Sequence, residues 1–106
     1  MVADKIEKIQ LDEQSEIKNA KKLREISDRL NNCLKEMEQS RTNLTKSWKG
    51  SSASEYIAKV AKVENEIRLN SKELRMAAEQ IDTIVVQMRQ AEEKAEDIAL
   101  HRNCNQ

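Results

Sequence analysis

The segment SWKGS, from Ser47 to Ser51, decides the fold of this chain because it lies near the middle of 106 residues and contains the only tryptophan and the only glycine. Glycine reaches positive φ without strain, so Gly50 is suited to end a helix. Ser52 and Glu55 follow with the spacing of a capping box, which starts a helix. A helix stop followed at once by a helix start predicts a helix-turn-helix hairpin.

The segment before the turn predicts a first helix over residues 13–47, with Asp12 as its N-cap. Its apolar residues recur at heptad spacing, which is typical of a seam between two packed helices. The residues that we expect at this seam are Leu23, Ile26, Leu30, Met37 and Leu44.

The segment after the turn predicts a second helix over residues 52–100, whose apolar residues alternate in steps of four and three. Asn70 is the one polar residue of this stripe, and a buried Asn in a seam fixes register or partner choice. The fold class is therefore all-α, an antiparallel hairpin with a coiled-coil-like seam. The seam residues that we expect from the second helix are Tyr56, Val60, Val63, Ile67, Asn70, Leu74, Ile81 and Ile84.

The predicted organisation is an N-terminal arm over 1–12, the hairpin over 13–100 with its turn at 48–51, and a flexible tail over 101–106. Two helices share only one seam, so the core is thin and the hairpin needs a partner. Further apolar residues flank the seam on both helices and form a second apolar edge suited to another hairpin. The residues that we assign to this partner interface are Ala20, Leu34, Ile57, Ala78 and Val85.

Composition argues against nucleic-acid binding, since net charge is zero and aromatics are only 2% of residues. Enzyme chemistry is not expected either, because the single histidine, His101, lies in a polar tail. Spaced Cys/His ligands are absent, so we expect no metal, no cofactor and no small-molecule ligand. Cys33 and Cys104 would lie on the order of 55 Å apart along the hairpin, too far for an internal disulfide.

The first residues, MVADKIEKIQLDEQ, lack the apolar core of a secretory signal, and the sequence has no transmembrane run. We therefore expect synthesis and folding in the cytoplasm, with any export by a leaderless route.

These features together resemble the WXG100 family, the small ESAT-6-like proteins of type VII secretion. The resemblance rests on Trp48-x-Gly50, the two amphipathic helices, the length and the absence of a leader. It implies a hairpin that pairs with a second hairpin into a four-helix bundle. It also implies that the protein is exported without a cleaved signal or accompanies a larger exported substrate. Contact with the secretion ATPase is a further implication of the resemblance.

The segment from Trp48 to Tyr56 is similar to that of small proteins encoded beside LXG-type toxins. That similarity implies a targeting partner that binds the helical N-terminal domain of the toxin. Two alternatives stay open. One is a self-sufficient secreted homodimer of the same family, and the other is a coiled-coil scaffold unrelated to secretion, in which Trp48 only closes the turn.

The C-terminal export signal of the family is often Tyr-x-x-x-Asp/Glu, and this chain has no tyrosine after Tyr56. A looser pattern, an apolar residue four before an acid with small residues following, is present. Its residues, Met88, Glu92, Ala95 and Ala99, form the candidate C-terminal targeting signal. The missing tyrosine favours a role in which the partner completes the signal.

Overall fold

The computed structural model describes the backbone of residues 2–104 and, within that range, the side chains of residues 7, 8, 10 and 12–101. Helix α1 runs Val2–Ser47 and helix α2 runs Ser51–Cys104. The two helices form a hairpin, and all of the described secondary structure is helical. The predicted all-α helix-turn-helix fold is confirmed.

Both helices extend beyond the predicted bounds. The chain has no proline, and its single glycine lies between the helices, so nothing in the first twelve residues stops α1. The helix passes through Asp12, which is therefore not an N-cap. The backbone of α2 continues to Cys104, while residues 105 and 106 of the predicted tail lie outside the described residues, as does the side chain of Cys104. The division into arm, hairpin and tail stays a prediction.

The turn is built around Gly50, whose φ is 121°. The Trp48 amide donates to the Leu44 carbonyl at 2.9 Å, which prolongs the bonding of α1 by one residue. The Gly50 carbonyl accepts from both the amide of Ser54 at 3.0 Å and its hydroxyl at 3.1 Å. A residue outside the helix whose carbonyl accepts the first helical bond is the N-cap. Gly50 thus ends one helix and caps the next.

The predicted cap of Ser52 and Glu55 is wrong in position. Because α2 begins at Ser51, Ser52 is the second residue inside the helix and not the residue before it. A capping box needs the serine at the N-cap and the acid three residues later. Glycine holds that position here because the chain needs positive φ to reverse direction.

The chain divides into two compact units. The turn unit comprises residues 23–76, with the end of α1, the turn and the first half of α2. The terminal unit combines the part of α1 up to Lys22 with the part of α2 from Ala77 onward.

The core of the terminal unit consists of small apolar residues together with one acid. Ala20, Ala78 and Val85 are buried, and so is Glu13. The Glu13 Oε2 atom lies 3.7 Å from Nε of Arg89, while its Oε1 atom is buried and has no hydrogen-bond partner among the residues that the structure describes. A buried carboxylate oxygen without a donor is a cost to stability.

The core of the turn unit is mainly polar. Its buried residues are Ser27, Leu34, Ala53, Glu64 and Ser71. Ser27 and Leu34 are one heptad apart on α1, as are Glu64 and Ser71 on α2. The inner line of each helix therefore keeps heptad spacing, but it carries small and hydrogen-bonded side chains.

Candidate functional site

A chain of hydrogen bonds joins the two helices at the centre of the turn unit. Nε of Arg75 donates to the Ser27 hydroxyl at 3.0 Å, and the Ser27 and Ser71 hydroxyls are 2.7 Å apart. The Ser71 hydroxyl donates to Oδ1 of Asn31 at 2.9 Å. Each hydroxyl has one proton, so donation by Ser71 to Asn31 makes Ser27 the donor between the two hydroxyls. The Ser71 and Ser27 carbonyls are further acceptors, at 3.2 and 3.3 Å from the hydroxyl of the opposite serine. Such a chain strengthens its own members and holds the two helices in one arrangement.

A second polar contact lies nearer the turn. Nε of Arg41 donates to both carboxylate oxygens of Glu64, at 2.8 and 3.1 Å. The Glu64 side chain is only 4% exposed, whereas that of Arg41 is 33% exposed. The hydrogen bond to Glu64 and then the charge of Glu64 raise the pKa of the Arg41 guanidinium above its ordinary value. Because the shift is upward, Arg41 carries its positive charge at neutral pH, opposite the buried carboxylate of Glu64.

One side of this inner line is polar. Nη2 of Arg68 donates to Oε1 of Glu38 at 2.8 Å, and Nη2 of Arg75 lies 3.4 Å from Oδ1 of Asp28. All four side chains are at least partly exposed, so these contacts contribute little to stability. They identify the flank of the turn unit that is compatible with water.

The other side is apolar. An α-helix turns about 100° per residue, so residues three after or four before a buried position lie about 50° to one side of it. Leu30 and Leu23 have that relation to Ser27, whereas the opposite side carries Asn31 and Arg24. The large apolar stripe of α1 therefore lies beside the inner line and not on it.

The apolar stripes of both helices meet in one groove of the turn unit, with a volume of about 540 Å³. The residues that line it are Cys33, Glu36, Met37, Ser40, Arg41, Leu44, Tyr56, Ile57 and Val60. Cys33 is exposed in it as a free thiol. We name as the apolar face the five groove residues Cys33, Met37, Leu44, Tyr56 and Val60 together with Ile26 and Val63, which lie on the same stripes.

The structure exchanges the two predicted surfaces. Of the predicted partner interface, four residues are buried within the chain and Ile57 is half-buried; the four are Ala20, Leu34, Ala78 and Val85. Of the predicted seam, eight residues are only half-buried: Leu23, Leu30, Met37, Leu44, Val60, Ile67, Leu74 and Ile81. The other five are exposed: Ile26, Tyr56, Val63, Asn70 and Ile84.

The predicted seam lies beside the helix contact because the side chains of the inner line are small or polar. Alanine and serine let two helices approach closely, and the bonds of Ser27 with Ser71 need that approach. Larger side chains such as Met37 and Tyr56 then remain beside the contact. Asn70 is exposed and is therefore not the buried polar residue that was expected, whereas Ser27 and Ser71 are buried. The signal that could have found this line is the heptad spacing of Ala, Ser and Glu, which a search for large apolar residues passes over.

Trp48 adjoins the apolar face through Tyr56. Their ring centroids are 5.6 Å apart with the planes tilted by 50°. This is within the range of favourable aromatic pairs, and both rings remain partly exposed. The turn motif thus contributes an aromatic surface as well as a chain reversal.

The candidate C-terminal targeting signal lies on α2 in the terminal unit. Its four residues, Met88, Glu92, Ala95 and Ala99, are all half-buried and follow one another at helical spacing. Oε1 of Glu92 accepts a hydrogen bond from Nε2 of Gln10 at 2.6 Å. The residues share a face of one helix, and their role in targeting stays a prediction.

Comparison with protein families settles the relationship of this hairpin. The family model described as "Proteins of 100 residues with WXG" matches residues 9–93, which include the turn and most of both helices. The chain is a WXG100 protein. Neither a curated protein nor a solved structure matches it.

WXG100 proteins are small helical proteins linked to type VII secretion, and they act in pairs of helical hairpins. The membership supports a helical hairpin as the partner of this chain. The family is not known for enzymatic activity. Over the described residues, His, Cys, Asp and Glu form no group able to hold a metal ion. No helix in the described part of the chain is long and apolar enough to span a membrane.

Proposed function

We propose that this WXG100 protein binds a second helical hairpin through the apolar face of its turn unit, as the targeting partner of an LXG-type toxin in type VII secretion. The observation that supports binding is the groove of about 540 Å³, to which both helices contribute large apolar side chains. Contact with the secretion ATPase would follow once the complex has formed.

Energetics favour a partner that covers the whole face. Burial of apolar surface contributes roughly 25 cal/mol per Å², and a stable interface takes about 800 Å² from each partner. Large side chains such as Met37, Leu44 and Tyr56 supply that kind of surface when they are covered. Two helices of a second hairpin, laid along these two helices, match a face made of parallel stripes.

Two features favour the toxin over self-pairing. The segment from Trp48 to Tyr56 resembles that of proteins encoded beside LXG-type toxins, and the candidate export signal lacks its tyrosine. A signal that the partner completes fits an adaptor. The second candidate function is a secreted homodimer, which the same face would serve through a two-fold axis.

The first test is size-exclusion chromatography with light scattering on the chain alone and co-expressed with the helical domain of the neighbouring toxin. A targeting partner should be monomeric or heterogeneous alone and form a defined heteromer with the toxin domain. A stable dimer that the toxin domain leaves unchanged would refute the adaptor and support the homodimer. A monomer that binds nothing would refute both.

A matched pair of variants on α2 locates the binding face. Val63 is 44% exposed on the apolar face, and Leu69 is 53% exposed and lies about 120° around the helix from it. We expect Val63→Glu to abolish association and Leu69→Glu to leave it intact. Equal loss in both variants would place the interface elsewhere.

Toxin export in cells separates the secretion classes from the scaffold. Trp48→Ala should lower export of the toxin while circular dichroism shows unchanged helix content. An unrelated scaffold would show only a loss of stability.

For the targeting signal, we expect Glu92→Gln to lower export. Gln10→Ala, which removes the partner of the same hydrogen bond, should not lower it.

A further inference from the structure

The turn unit places its polar side chains inside and its largest apolar side chains at the side. Ser27, Glu64 and Ser71 are buried, whereas Tyr56 and Val63 are about half exposed. This is the reverse of what burial of apolar surface alone would select. Some interaction must therefore hold the helices in this arrangement.

We infer that the buried Arg41–Glu64 pair determines which faces of α1 and α2 pair with each other, and so keeps the apolar face outward for a partner. The inference concerns the hairpin itself. It holds whether the partner is a toxin domain or a second copy of the chain.

In a competing arrangement of the hairpin, the large apolar stripes of the two helices would face each other. The three-residue connection between Ser47 and Ser51 limits sliding of one helix along the other, but each helix can still rotate about its axis. A rotation of each helix by about 50° would turn the apolar stripe of α1, which includes Leu30 and Met37, towards the apolar stripe of α2. The hairpin would then close on its own apolar face and leave nothing for a partner.

Directional bonds oppose that rotation. The one N–H of Arg41 Nε donates a bifurcated hydrogen bond to the two carboxylate oxygens of Glu64, and the Ser27 and Ser71 hydroxyls are 2.7 Å apart. These distances depend on the angular position of both helices at once, whereas apolar contacts tolerate many angles. A buried polar group in a helical seam selects one arrangement in the same way in coiled coils. The exposed pair Arg68–Glu38 links the same helices without being buried, so it provides a control.

Disulfide formation reports the arrangement directly. Since the Ser27 and Ser71 hydroxyls nearly touch, Ser27→Cys with Ser71→Cys should bring two thiols within bonding distance. Cys33→Ser and Cys104→Ser remove the native thiols. The rate of intramolecular cross-linking in a glutathione buffer, followed on non-reducing gels of the full chain, measures how often these two positions meet.

In that background, Arg41→Leu with Glu64→Leu should slow cross-linking by roughly fivefold, within the range of coupling among residues of one network. The control Glu38→Leu with Arg68→Leu should leave the rate unchanged. An unchanged rate in the first variant, or an equal decrease in both, would overturn the inference.

Circular dichroism and a second variant guard against misfolding. Arg41→Glu with Glu64→Arg keeps an ion pair between the same positions, and we expect a cross-linking rate close to that of the parent. A slow rate with native helix content would overturn the inference even if the leucine variant failed to fold. The measurement needs no partner, so its failure is distinct from failure of the proposed function.

Discussion

The turn unit and the terminal unit both bury a glutamate, but they treat it differently. In the turn unit, both oxygens of Glu64 accept hydrogen bonds from Arg41 at 2.8 and 3.1 Å. In the terminal unit, the described part of the chain offers Glu13 only Arg89 at 3.7 Å, and one of its oxygens is buried without a partner there. The same residue type at a buried position therefore specifies structure in one unit and weakens it in the other.

The buried side chains of the turn unit are held by directional bonds to a greater extent than those of the terminal unit. The turn unit, which carries the apolar face, surrounds its inner line with the bonds of Ser27, Asn31, Ser71 and Arg75. The terminal unit relies on burial of Ala20, Ala78 and Val85. We expect like substitutions to have larger effects in the turn unit, and at one position to have the opposite sign. All unfolding measurements below are made at one chain concentration, because association contributes to stability.

The largest effect is expected from Arg41→Ala. It leaves the carboxylate of Glu64 buried without its donor, and breaking a buried pair in this way is strongly destabilising. We expect the thermal midpoint to fall by roughly 15 °C. Arg68→Ala, which breaks an exposed pair between the same helices, should change it by less than about 3 °C. Equal losses would show that burial of Glu64 does not set the cost.

Leu34→Ala comes next, because Leu34 is the one large apolar side chain among the buried residues described in the turn unit. Removal of a buried leucine side chain costs about 2–3 kcal/mol, from lost burial and the cavity left behind. Urea denaturation should show this loss, with Leu69→Ala within about 0.5 kcal/mol of the parent as the matched control. A small loss at Leu34 would mean that the polar bonds alone hold the turn unit.

Gly50→Ala tests the turn that joins α1 and α2. The φ of 121° is strained for any residue with a Cβ atom, yet an added Cβ would meet nothing within 4 Å. The cost is therefore backbone strain alone, about 1–2 kcal/mol in urea denaturation. Gly50→Val should cost more, because a β-branched residue tolerates positive φ least. A neutral Gly50→Ala would indicate that the turn relaxes to another conformation.

The sequence predicted the fold well because its signals were local. The only glycine lies between two segments without proline, and it takes the positive φ that was expected. The faces by which the two helices pair were not predicted correctly. The prediction placed the largest apolar residues in the seam and gave too little weight to small and polar side chains. Large residues such as Leu23 and Leu30 suggested the seam, while Ala20, Ser27 and Leu34 share a heptad position that hydrophobicity alone ranks lower. Only the hydrogen bonds of the structure reveal why the smaller set lies inside.

The apolar face shows the same lesson for the site. The stripe of Met37, Leu44, Tyr56 and Val60 was correctly grouped from its spacing, but it was assigned to the inside of the hairpin. Spacing defines which residues share a face of a helix. It does not define which neighbour covers that face. That choice depends on the competing inner line, which involves bonds between residues more than forty positions apart.

The smallest effect, and the one of opposite sign, is expected from Glu13→Leu. The substitution removes a buried oxygen that no described residue bonds, and it leaves Arg89, whose side chain is 58% exposed, in water. Replacement of a poorly satisfied buried charge by an apolar residue should stabilise the chain by about 1 kcal/mol in urea denaturation. Glu64→Leu should instead destabilise the chain, because it removes the carboxylate oxygens that accept from Nε of Arg41. If both substitutions destabilised the chain alike, Glu13 would have to be as well satisfied as Glu64, and the contrast between the two units would disappear.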